Sequence, residues 1–413
     1  DRFELFPAVS LGWVISNEKF FETFLDKIDN LKIRASYGLV GSDETGSGAG
    51  SYLYRDNVEL NSIGYTTGSG WNVTNKGPKI LQYAIANATW ERARKLDIGL
   101  DITMFRNLHI TADYFHEYRY NILMERASWP KMFGYDEAVP WSNIGAVRSF
   151  GGELSVNYKH QFSKDWLIDI RGNFTYVENN YDEKDEPKYN YEWEKATGTP
   201  MQAMWGYIAD GLFNTEDEIK HSADQSGLGS TPMPGDIKYR DLNGDGIINS
   251  HDKCMISEYG KRPRIQYGLG VNVMYKNFDF GAFINGSAMR KVMISGIHPF
   301  LSGTLSTSGD KNVFKFVAED FWTEENRNAS YPRLGVLQSE VAGNHVSSTF
   351  WLRNGNFLRL KNVELGYTYK FCRLYVRGDN LAVFSPFDLW DPELNWNSYP
   401  LQRTVSVGVQ MNF

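Results

Sequence analysis

The clearest pattern in the chain is the alternation of apolar and polar residues near its C-terminal end. Apolar Val405, Val407, Val409, Met411 and Phe413 alternate with the polar or small residues that lie between them. A period of two predicts a β-strand with one apolar face and one polar face. A strand of this kind lies between two different environments.

The same alternation recurs along the chain and predicts about eleven strands. Each is close to the roughly ten residues that a tilted membrane-spanning strand needs. The predicted strands cover residues 8–16, 31–39, 95–104, 108–120, 150–162, 166–178, 265–275, 278–287, 357–371, 374–384 and 403–413.

One predicted strand changes parity along its length. Leu358 and Leu360 are at even positions, whereas Val363 and Leu365 are at odd positions. A single extra residue in one strand would return both sets of side chains to one face, and a β-bulge supplies such a residue. We therefore expect a bulge near Lys361–Asn362.

The connections alternate strictly between short and long. Tight turns are predicted at Arg106-Asn107, Ser163–Asp165, Lys276-Asn277 and Cys372-Arg373, and residues 17–30 form a modest link. The long segments are 40–94, 121–149, 179–264, 288–356 and 385–402. Outer-membrane barrels have short periplasmic turns and long extracellular loops. The pattern therefore favours an all-β fold, a transmembrane antiparallel β-barrel with long extracellular loops, over a soluble β-sandwich or propeller with mixed loop lengths.

Composition narrows the class of protein further. A net charge of −7 is against a nucleic-acid-binding surface, which requires a basic excess. No segment approaches the run of about 18 apolar residues that a membrane helix requires, so a helical membrane protein is excluded. Aromatic residues make up 15% of the chain, as in barrels with interfacial girdles. Because the chain begins at Asp1 without a signal peptide, we expect it to be a fragment.

The sharpest chemical motif lies between residues 241 and 252, inside the predicted extracellular loop 179–264. Its spacing is that of a twelve-residue EF-hand or dockerin-like calcium loop, with Gly246 at the sharp turn. The candidate oxygen ligands are the side chains of Asp241, Asn243, Asp245, Asn249 and Asp252 and the backbone carbonyl of Ile247. We expect a structural Ca²⁺ ion here; an Asp/Asn/Gly-rich turn without metal is the alternative.

The remaining features do not indicate catalysis. The sequence contains no nucleophile elbow, phosphate loop or zinc pattern, so we expect no enzyme activity. The acidic run Asp182–Glu186 is interpreted as a solvated loop tip. Ten of the twelve tryptophans lie in long connections or at strand ends, where we favour packing between folded connections over stacking on a sugar.

Four stretches resemble SusC/RagA-type TonB-dependent outer-membrane transporters of Bacteroidota, in the order in which that family has them. They are FPAVSLGW at 6–13, LKIRASYG at 31–38, GDIKYRDLNGDG at 235–246, and FLRLKNVELGYTY at 357–369 followed by RGDNL at 377–381 and terminal Phe413. The resemblance covers the whole chain, and residues 1–413 would be the C-terminal half of the barrel.

This resemblance implies a barrel of about 22 strands filled by an N-terminal plug. It also implies active import of an oligosaccharide across the outer membrane of a Gram-negative bacterium, with a SusD-like surface lipoprotein as lid. TonB would act through the missing N-terminal part, and lipid would surround the barrel. An oligopeptide importer of the same family and a passive or adhesive barrel are the alternatives. The resemblance does not identify the substrate-binding residues.

Overall fold

The computed structural model describes residues 3–43, 52–85, 88–129, 138–294, 314–335, 338–394 and 398–411. The strands in the first half of the chain are β1 (Ala8–Val14), β2 (Ile28–Ser42), β3 (Asn57–Thr67), β4 (Val73–Gln82), β5 (Glu91–Met104), β6 (Leu108–Glu125), β7 (Trp141–Ser163) and β8 (Trp166–Glu183).

The strands in the second half of the chain differ in length. They are β9 (Met204–Gly206), β10 (Ala209–Leu212), β11 (Ile237–Tyr239), β12 (Cys254–Ser257), β13 (Ile265–Tyr275), β14 (Phe278–Ala288), β15 (Lys291–Met293), β16 (Leu352–Asn354), β17 (Phe357–Tyr369), β18 (Cys372–Phe384) and β19 (Thr404–Met411).

Helical segments are short. The α-helices are α1 (Glu216–Lys220) and α2 (Lys315–Glu319). The 3₁₀ segments are Ile15–Asn17, Lys19–Phe24, Glu192–Glu194, Ser226–Leu228, Ser250–Asp252, Gln338–Glu340, Ala342–His345 and Thr349–Trp351. Among the described residues, no helix has the length and apolar character needed to cross a bilayer.

Eleven strands form one large antiparallel sheet, in the order β1-β2-β5-β6-β7-β8-β13-β14-β17-β18-β19. Each contains most of one of the eleven predicted strands, so the predicted all-β architecture is confirmed. Several extend further than predicted; β7, for example, begins at Trp141 rather than at residue 150. The predicted strand begins later because residues 141–149 lack a period of two: the large apolar residues Trp141, Ile144 and Val147 are three positions apart.

Two predicted local features can be compared with the backbone. The bulge is confirmed: in the pairing of β17 with β14, Leu360 lies opposite Ile284 and Asn362 opposite Phe283, so Lys361 has no partner. The predicted turn at Cys372-Arg373 is wrong, because Cys372 already lies opposite Tyr369 in the pairing of β17 with β18. The turn is at 370–371, where Lys370 adopts a left-handed backbone with φ of 54°.

The other tight turns lie where the sequence predicts them. β13 ends at Tyr275 and β14 begins at Phe278, so residues 276–277 form the connection, and Lys276 has φ of 54°. Residues 105–107 connect β5 to β6, and residues 164–165 connect β7 to β8. Alternation is confirmed through Met411, whereas Phe413 lies outside the described residues.

The chain divides into two compact units, and each is described by itself. Unit 1 contains Asp1–Ser155, Val177–Tyr189 and Lys195–Met201; unit 2 contains Val156–Tyr176, Asn190–Glu194 and Gln202–Phe413. In unit 1, the long segment 40–94 contains the hairpin of β3 and β4. This hairpin is not among the predicted strands, because residues 57–82 lack a sustained period of two.

The long connections of unit 2 fold together around a hydrophobic core. Its fully buried side chains come from segments distant in sequence, including Ile237, Ile248, Ile294 and Val317. Trp351 packs in the same core and donates from Nε1 to the carbonyl of Asn344 at 2.8 Å. Packing is therefore confirmed for Trp351. These connections form a folded layer rather than extended loops.

The acidic run Asp182–Glu186 in unit 1 is not a solvated loop tip. Asp182 pairs with Arg148 at 2.6 Å, and Asp185 accepts hydrogen bonds from the amide and hydroxyl of Ser128, both at 2.8 Å. Glu186 accepts from the amides of 196 and 197 and from the Thr197 hydroxyl at 2.6 Å. The interpretation failed because the charge pattern alone cannot show the donors on other segments.

Candidate functional site

The large sheet has an apolar face that is exposed over the strands of unit 2. Residues directly opposite each other on neighbouring strands share a face. One such row crosses six strands and consists of Ile168, Val273, Phe280, Leu365, Val376 and Val407. Val407 is 76% exposed and Leu365 55%. A contiguous exposed apolar surface of this extent indicates contact with lipid or with another apolar surface.

A second row on the same face lies nearer the tight turns and is largely aromatic. It consists of Trp166, Tyr275, Phe278, Tyr367, Leu374 and Val409. Neighbouring rings contact each other: the centroids of Trp166 and Tyr275 are 5.3 Å apart, and those of Phe278 and Tyr367 are 4.8 Å apart. Aromatic rows at one level of a sheet are typical of the girdles of membrane barrels.

The opposite face of unit 2 is polar and carries ion pairs between strands. Arg373 on β18 pairs with Asp279 on β14 and with Glu364 on β17 at 2.5 Å. Arg171 and Asp169, both on β8, pair at 2.8 Å. Charged side chains of this face thus pair with one another, as expected for a surface that contacts water.

The same arrangement occurs separately in unit 1. Arg34 on β2 lies 3.1 Å from Asp101 on β5 and 2.6 Å from Asp113 on β6. Lys95 and Glu117 pair at 3.3 Å across β5 and β6. On the other face, Ile98 lies opposite Tyr114, and they are 45% and 46% exposed, so the strands of unit 1 also have a charged face and an apolar face.

A buried polar network stabilises the folded connections of unit 2. Asp236 accepts from Arg333 Nε at 2.7 Å and from Asn344 Nδ2 at 2.7 Å. Burial raises the pKa of the Asp236 carboxyl above its ordinary value, although Arg333 and the hydrogen bonds oppose the increase. Burial also raises the pKa of Tyr239, whose hydroxyl donates to the carbonyl of Gly343 at 2.8 Å.

The acidic loop 241–252 follows this network, and hydrogen bonds within the loop hold its shape. Asp241 accepts from the amides of Gly244 at 2.7 Å and Gly246 at 2.8 Å. Gly246 has φ of 80°, a left-handed conformation that favours glycine. Asn243 Oδ1 accepts from the amide of Asp245 at 3.0 Å, and Asp245 Oδ1 accepts from that of Ile247 at 2.8 Å. The turn predicted around Gly246 is confirmed.

The last predicted ligand, Asp252, is fully buried and joins the two ends of the loop. Its carboxylate accepts from the amide of Leu242 at 2.8 Å and from that of Asn249 at 2.8 Å. Asn249 in turn accepts from the amide of His251 at 2.8 Å, which completes a capping box on the 3₁₀ segment Ser250–Asp252. In the described part of the chain, no three His, Cys, Asp or Glu side chains form a metal-binding group. Calcium binding stays a prediction.

His251 attaches the loop to segment 190–194. Its Nδ1 lies 2.7 Å from Glu194 Oε1, and its carbonyl accepts from Trp193 Nε1 at 2.8 Å. Burial works to raise the pKa of the Glu194 carboxyl, but its hydrogen bonds with His251 and the amide of Tyr191 lower it overall. The indole of Trp193 is therefore used in packing.

A cavity of about 740 Å³ opens in unit 2, where strands of the large sheet meet the folded connections. Asn173 on β8 and Asn285 on β14 both lie opposite Gly268 on β13, and Gln266 lies opposite Ser287. These four polar side chains line the cavity; Gln202, Lys261, Arg262, Phe283, Arg290, Phe357 and Glu393 also contribute to its wall.

Comparison with known protein families gives the identity of this fold. The family model described as TonB dependent receptor-like, beta-barrel matches residues 1–381. The chain belongs to this family. The predicted membrane barrel is therefore confirmed, and the exposed apolar face is the face toward lipid. Family members are outer-membrane proteins, so this chain, as part of such a receptor barrel, lies in the outer membrane.

Curated relatives place the chain with the SusC-type receptors. It is 26% identical to TonB-dependent receptor P26 of Formosa agariphila, over 100% of this chain and 43% of the relative. It is 27% identical to TonB-dependent receptor SusC of Bacteroides thetaiotaomicron, over 100% of this chain and 40% of the relative. The chain spans less than half the length of these relatives.

Solved structures show the same fold. The structure of the RagAB peptide transporter superposes with a TM-score of 0.68 and 19% identity, over 99% of this chain and 43% of that one. The RagAB peptide importer in the open-open state gives a TM-score of 0.66 and 18% identity, over 99% of this chain and 42% of that one. The SusC/RagA-type resemblance is thus confirmed.

The residues that line the cavity are not marked by any single motif in the sequence. Asn173, Gln266, Asn285 and Ser287 each occupy a polar position in an alternating strand, so each strand alone shows only a polar face. Their grouping depends on the register of β8, β13 and β14. A search for polar side chains in register across neighbouring predicted strands would have found the group.

Proposed function

We propose that this chain forms part of the barrel wall and the ligand-facing connections of a TonB-dependent importer of SusC/RagA type. The observation that carries the proposal is the match of the receptor barrel family to residues 1–381. The two faces of the sheet support it, because an importer needs an apolar face toward lipid and a polar face toward its passage.

Active import would divide the work between this chain and other parts of the assembly. A SusD-like surface lipoprotein would cover the folded connections of unit 2 and hold the cargo against them. TonB would act on a plug and use the proton-motive force to open a path. The chain itself would bind and orient cargo, without covalent chemistry.

We propose an oligosaccharide as the cargo. Asn173, Gln266 and Asn285 line the cavity, and amide side chains both donate and accept hydrogen bonds, as sugar hydroxyl groups require. Phe283 and Phe357 supply apolar surface beside them, on which the carbon-bound hydrogens of a sugar ring can pack. RagAB is a peptide transporter, and a peptide cargo is therefore one outcome of the test below.

The complete protein should be purified from native outer membranes in mild detergent, and bound proteins and small molecules identified by mass spectrometry. We expect a co-purifying surface lipoprotein and bound oligosaccharide. Uptake of the identified ligand should stop when the proton-motive force is dissipated. A lone barrel without a lipoprotein, together with uptake that needs no energy, would contradict the importer.

We also propose that the acidic loop supports the folded connections, because its His251 contacts Glu194 and its Ile248 is part of the hydrophobic core. A Ca²⁺ ion would be held by oxygen atoms of Asp241, Asn243, Asp245, Ile247, Asn249 and Asp252. The hydrogen bonds within the loop already hold much of the required turn.

A further inference from the structure

The cavity of unit 2 contains buried polar atoms that have no partner in the described part of the chain. Ser287 is only 5% exposed, and its Oγ makes no hydrogen bond. Asn285 Oδ1, on the same strand and the same face, is also without a hydrogen bond. A buried polar atom without a partner costs free energy, and such atoms are usually satisfied by water or a ligand. These two atoms therefore mark a place where a polar ligand can bind.

The strand register places two further side chains of the cavity wall near these atoms. Gly268 lies between Asn173 and Asn285 in the pairing of β8, β13 and β14. A Cβ at Gly268 would lie 2.6 Å from Asn173 Oδ1 and 3.2 Å from Phe283. Glycine at this position thus allows the side chains of Asn173 and Phe283 to approach the backbone of β13 closely.

The charges around the cavity are not balanced. Lys261 and Arg262 line it, and neither forms an ion pair within the described residues. Arg290 is buried, and its guanidinium donates to carbonyl oxygens of 261, 392 and 394 rather than to a carboxylate. The cavity therefore carries an excess of positive charge.

Among the described residues, the cavity wall contains one carboxylate, and that group is already neutralised. Glu393 Oε2 lies 2.8 Å from Arg359 Nε, and Glu393 Oε1 lies 3.4 Å from Lys361 Nζ. Arg359 is almost fully buried, so this pairing belongs to the protein and not to the ligand. The ammonium and guanidinium groups of Lys261 and Arg262 remain available for an anion.

We propose that this cavity binds an anionic oligosaccharide, whose carboxylate or sulfate groups contact Lys261 and Arg262 and whose hydroxyl groups contact Ser287, Asn285 and Gln266. The inference rests on the proposed function and specifies its cargo. A sulfate or a uronate carboxylate provides the same acceptor chemistry for both cations. The neutral amides and the hydroxyl then orient the sugar ring, whereas Lys261 and Arg262 bind its charged group.

The test uses the complete transporter with four probes measured by calorimetry. Three are sugars of matched length, namely oligogalacturonate, a sulfated galactan oligomer and a neutral malto-oligosaccharide, and the fourth is an acidic peptide. We expect at least one anionic probe to bind and the neutral probe to bind at least about tenfold more weakly. Affinity for the anionic probe should fall with added salt, because ionic contacts are screened.

Two variants separate the roles of charge and hydroxyl. Lys261→Gln with Arg262→Gln should lower the affinity for the anionic probe by at least about tenfold and leave the affinity for the neutral probe unchanged. Ser287→Ala should lower the affinity for the anionic probe by about fivefold. The stability of the protein should not change, because the hydroxyl has no hydrogen-bond partner among the described residues. Lys164→Gln with Lys276→Gln, at two tight turns, is the matched control and should change nothing.

Three results would overturn the inference. They are equal binding of neutral and anionic probes, an unchanged affinity in the variant of Lys261 and Arg262, and binding of an acidic peptide in place of all three sugars. If energy-dependent uptake of a neutral sugar or a peptide remains, the inference fails and the importer stands. If no energy-dependent uptake of any ligand occurs, the proposed function itself fails.

Discussion

Phe280 on β14 lies directly opposite Leu365 on β17, and both side chains are exposed, at 41% and 55%. Gly281 and Glu364, the next pair along these strands, lie on the other face, where Glu364 contacts Arg373. Adjacent positions of one strand thus face lipid and water. This relationship gives the sheet one face for lipid and one face for charged side chains.

Leu365→Arg should strongly destabilise the protein in a bilayer, because it places a cation in the hydrocarbon region. The expected loss is about 2–4 kcal/mol if the residue lies near the bilayer midplane. Asn362→Arg on the same strand is the matched control, since residue 362 lies opposite Asp379 on the polar face. Equilibrium unfolding in lipid vesicles measures the free energy of unfolding of both variants. An equal loss in the two variants would contradict a sheet with one apolar and one polar face.

Trypsin added to intact cells should cut the long connections and spare the tight turns. Lys188 and Lys195 lie in the long segment between β8 and β13, whereas Arg106 and Lys276 lie in tight turns. The expectation follows from long loops outside the cell and short turns in the periplasm. Mass spectrometry of the released peptides identifies the cuts. Cleavage at Arg106 or Lys276 in intact cells would refute this orientation.

Asp241→Ala with Asp245→Ala should abolish any calcium bound by the acidic loop. These positions supply two of its three candidate carboxylates, and Ca²⁺ affinity depends on ligand charge. Elemental analysis of the purified protein, before and after a chelator, gives the metal content. Asp182→Ala with Asp185→Ala removes the same charge elsewhere and should retain the ion. Equal calcium content in both double variants would exclude the site.

Glu186→Gln should loosen the segment that Glu186 attaches. Burial alone raises the pKa of Glu186, but the Thr197 hydroxyl and the amides of 196 and 197 lower it overall. A carboxylate with a lowered pKa stabilises the fold above its ordinary value of 4.5, and the contribution is lost as the pH falls through the lowered pKa. Faster amide exchange at 196–197, corrected for intrinsic rates, should therefore appear in the variant and in the wild type at acidic pH.

Glu183→Gln is the control for this exchange experiment, because Glu183 lies in the same acidic run at the end of β8. It should leave the exchange at 196–197 unchanged. If both variants exchange alike, the hydrogen bonds of Glu186 do not hold the segment.

The sheet was largely predictable from sequence because a strand between lipid and water must alternate. Val405, Val407 and Val409 show this alternation without reference to any other part of the chain. The turn before Cys372 was misplaced by two residues, since both Phe371 and Cys372 fit an apolar position near a strand end. A turn is set by backbone conformation, here a left-handed Lys370, which the hydrophobic pattern does not record.

The cavity and the folded connections depend on contacts that are distant in sequence. Asp236 and Arg333 pair at 2.7 Å although 97 residues separate them, and no local pattern relates them. The acidic loop was predictable only in part. Its spacing indicated the turn at Gly246 correctly, but the capping role of Asp252 follows only from the position of its backbone partners.

Single cysteines placed along β19 provide the most direct test of the membrane sheet. With Cys254 and Cys372 replaced by serine, each position from Thr404 to Met411 is labelled in native outer membranes with a spin label. We predict that labels at 405, 407, 409 and 411 contact oxygen dissolved in lipid. Labels at 404, 406, 408 and 410 should contact a water-soluble nickel complex. Equal access of the nickel complex to both sets would contradict a barrel wall in the outer membrane.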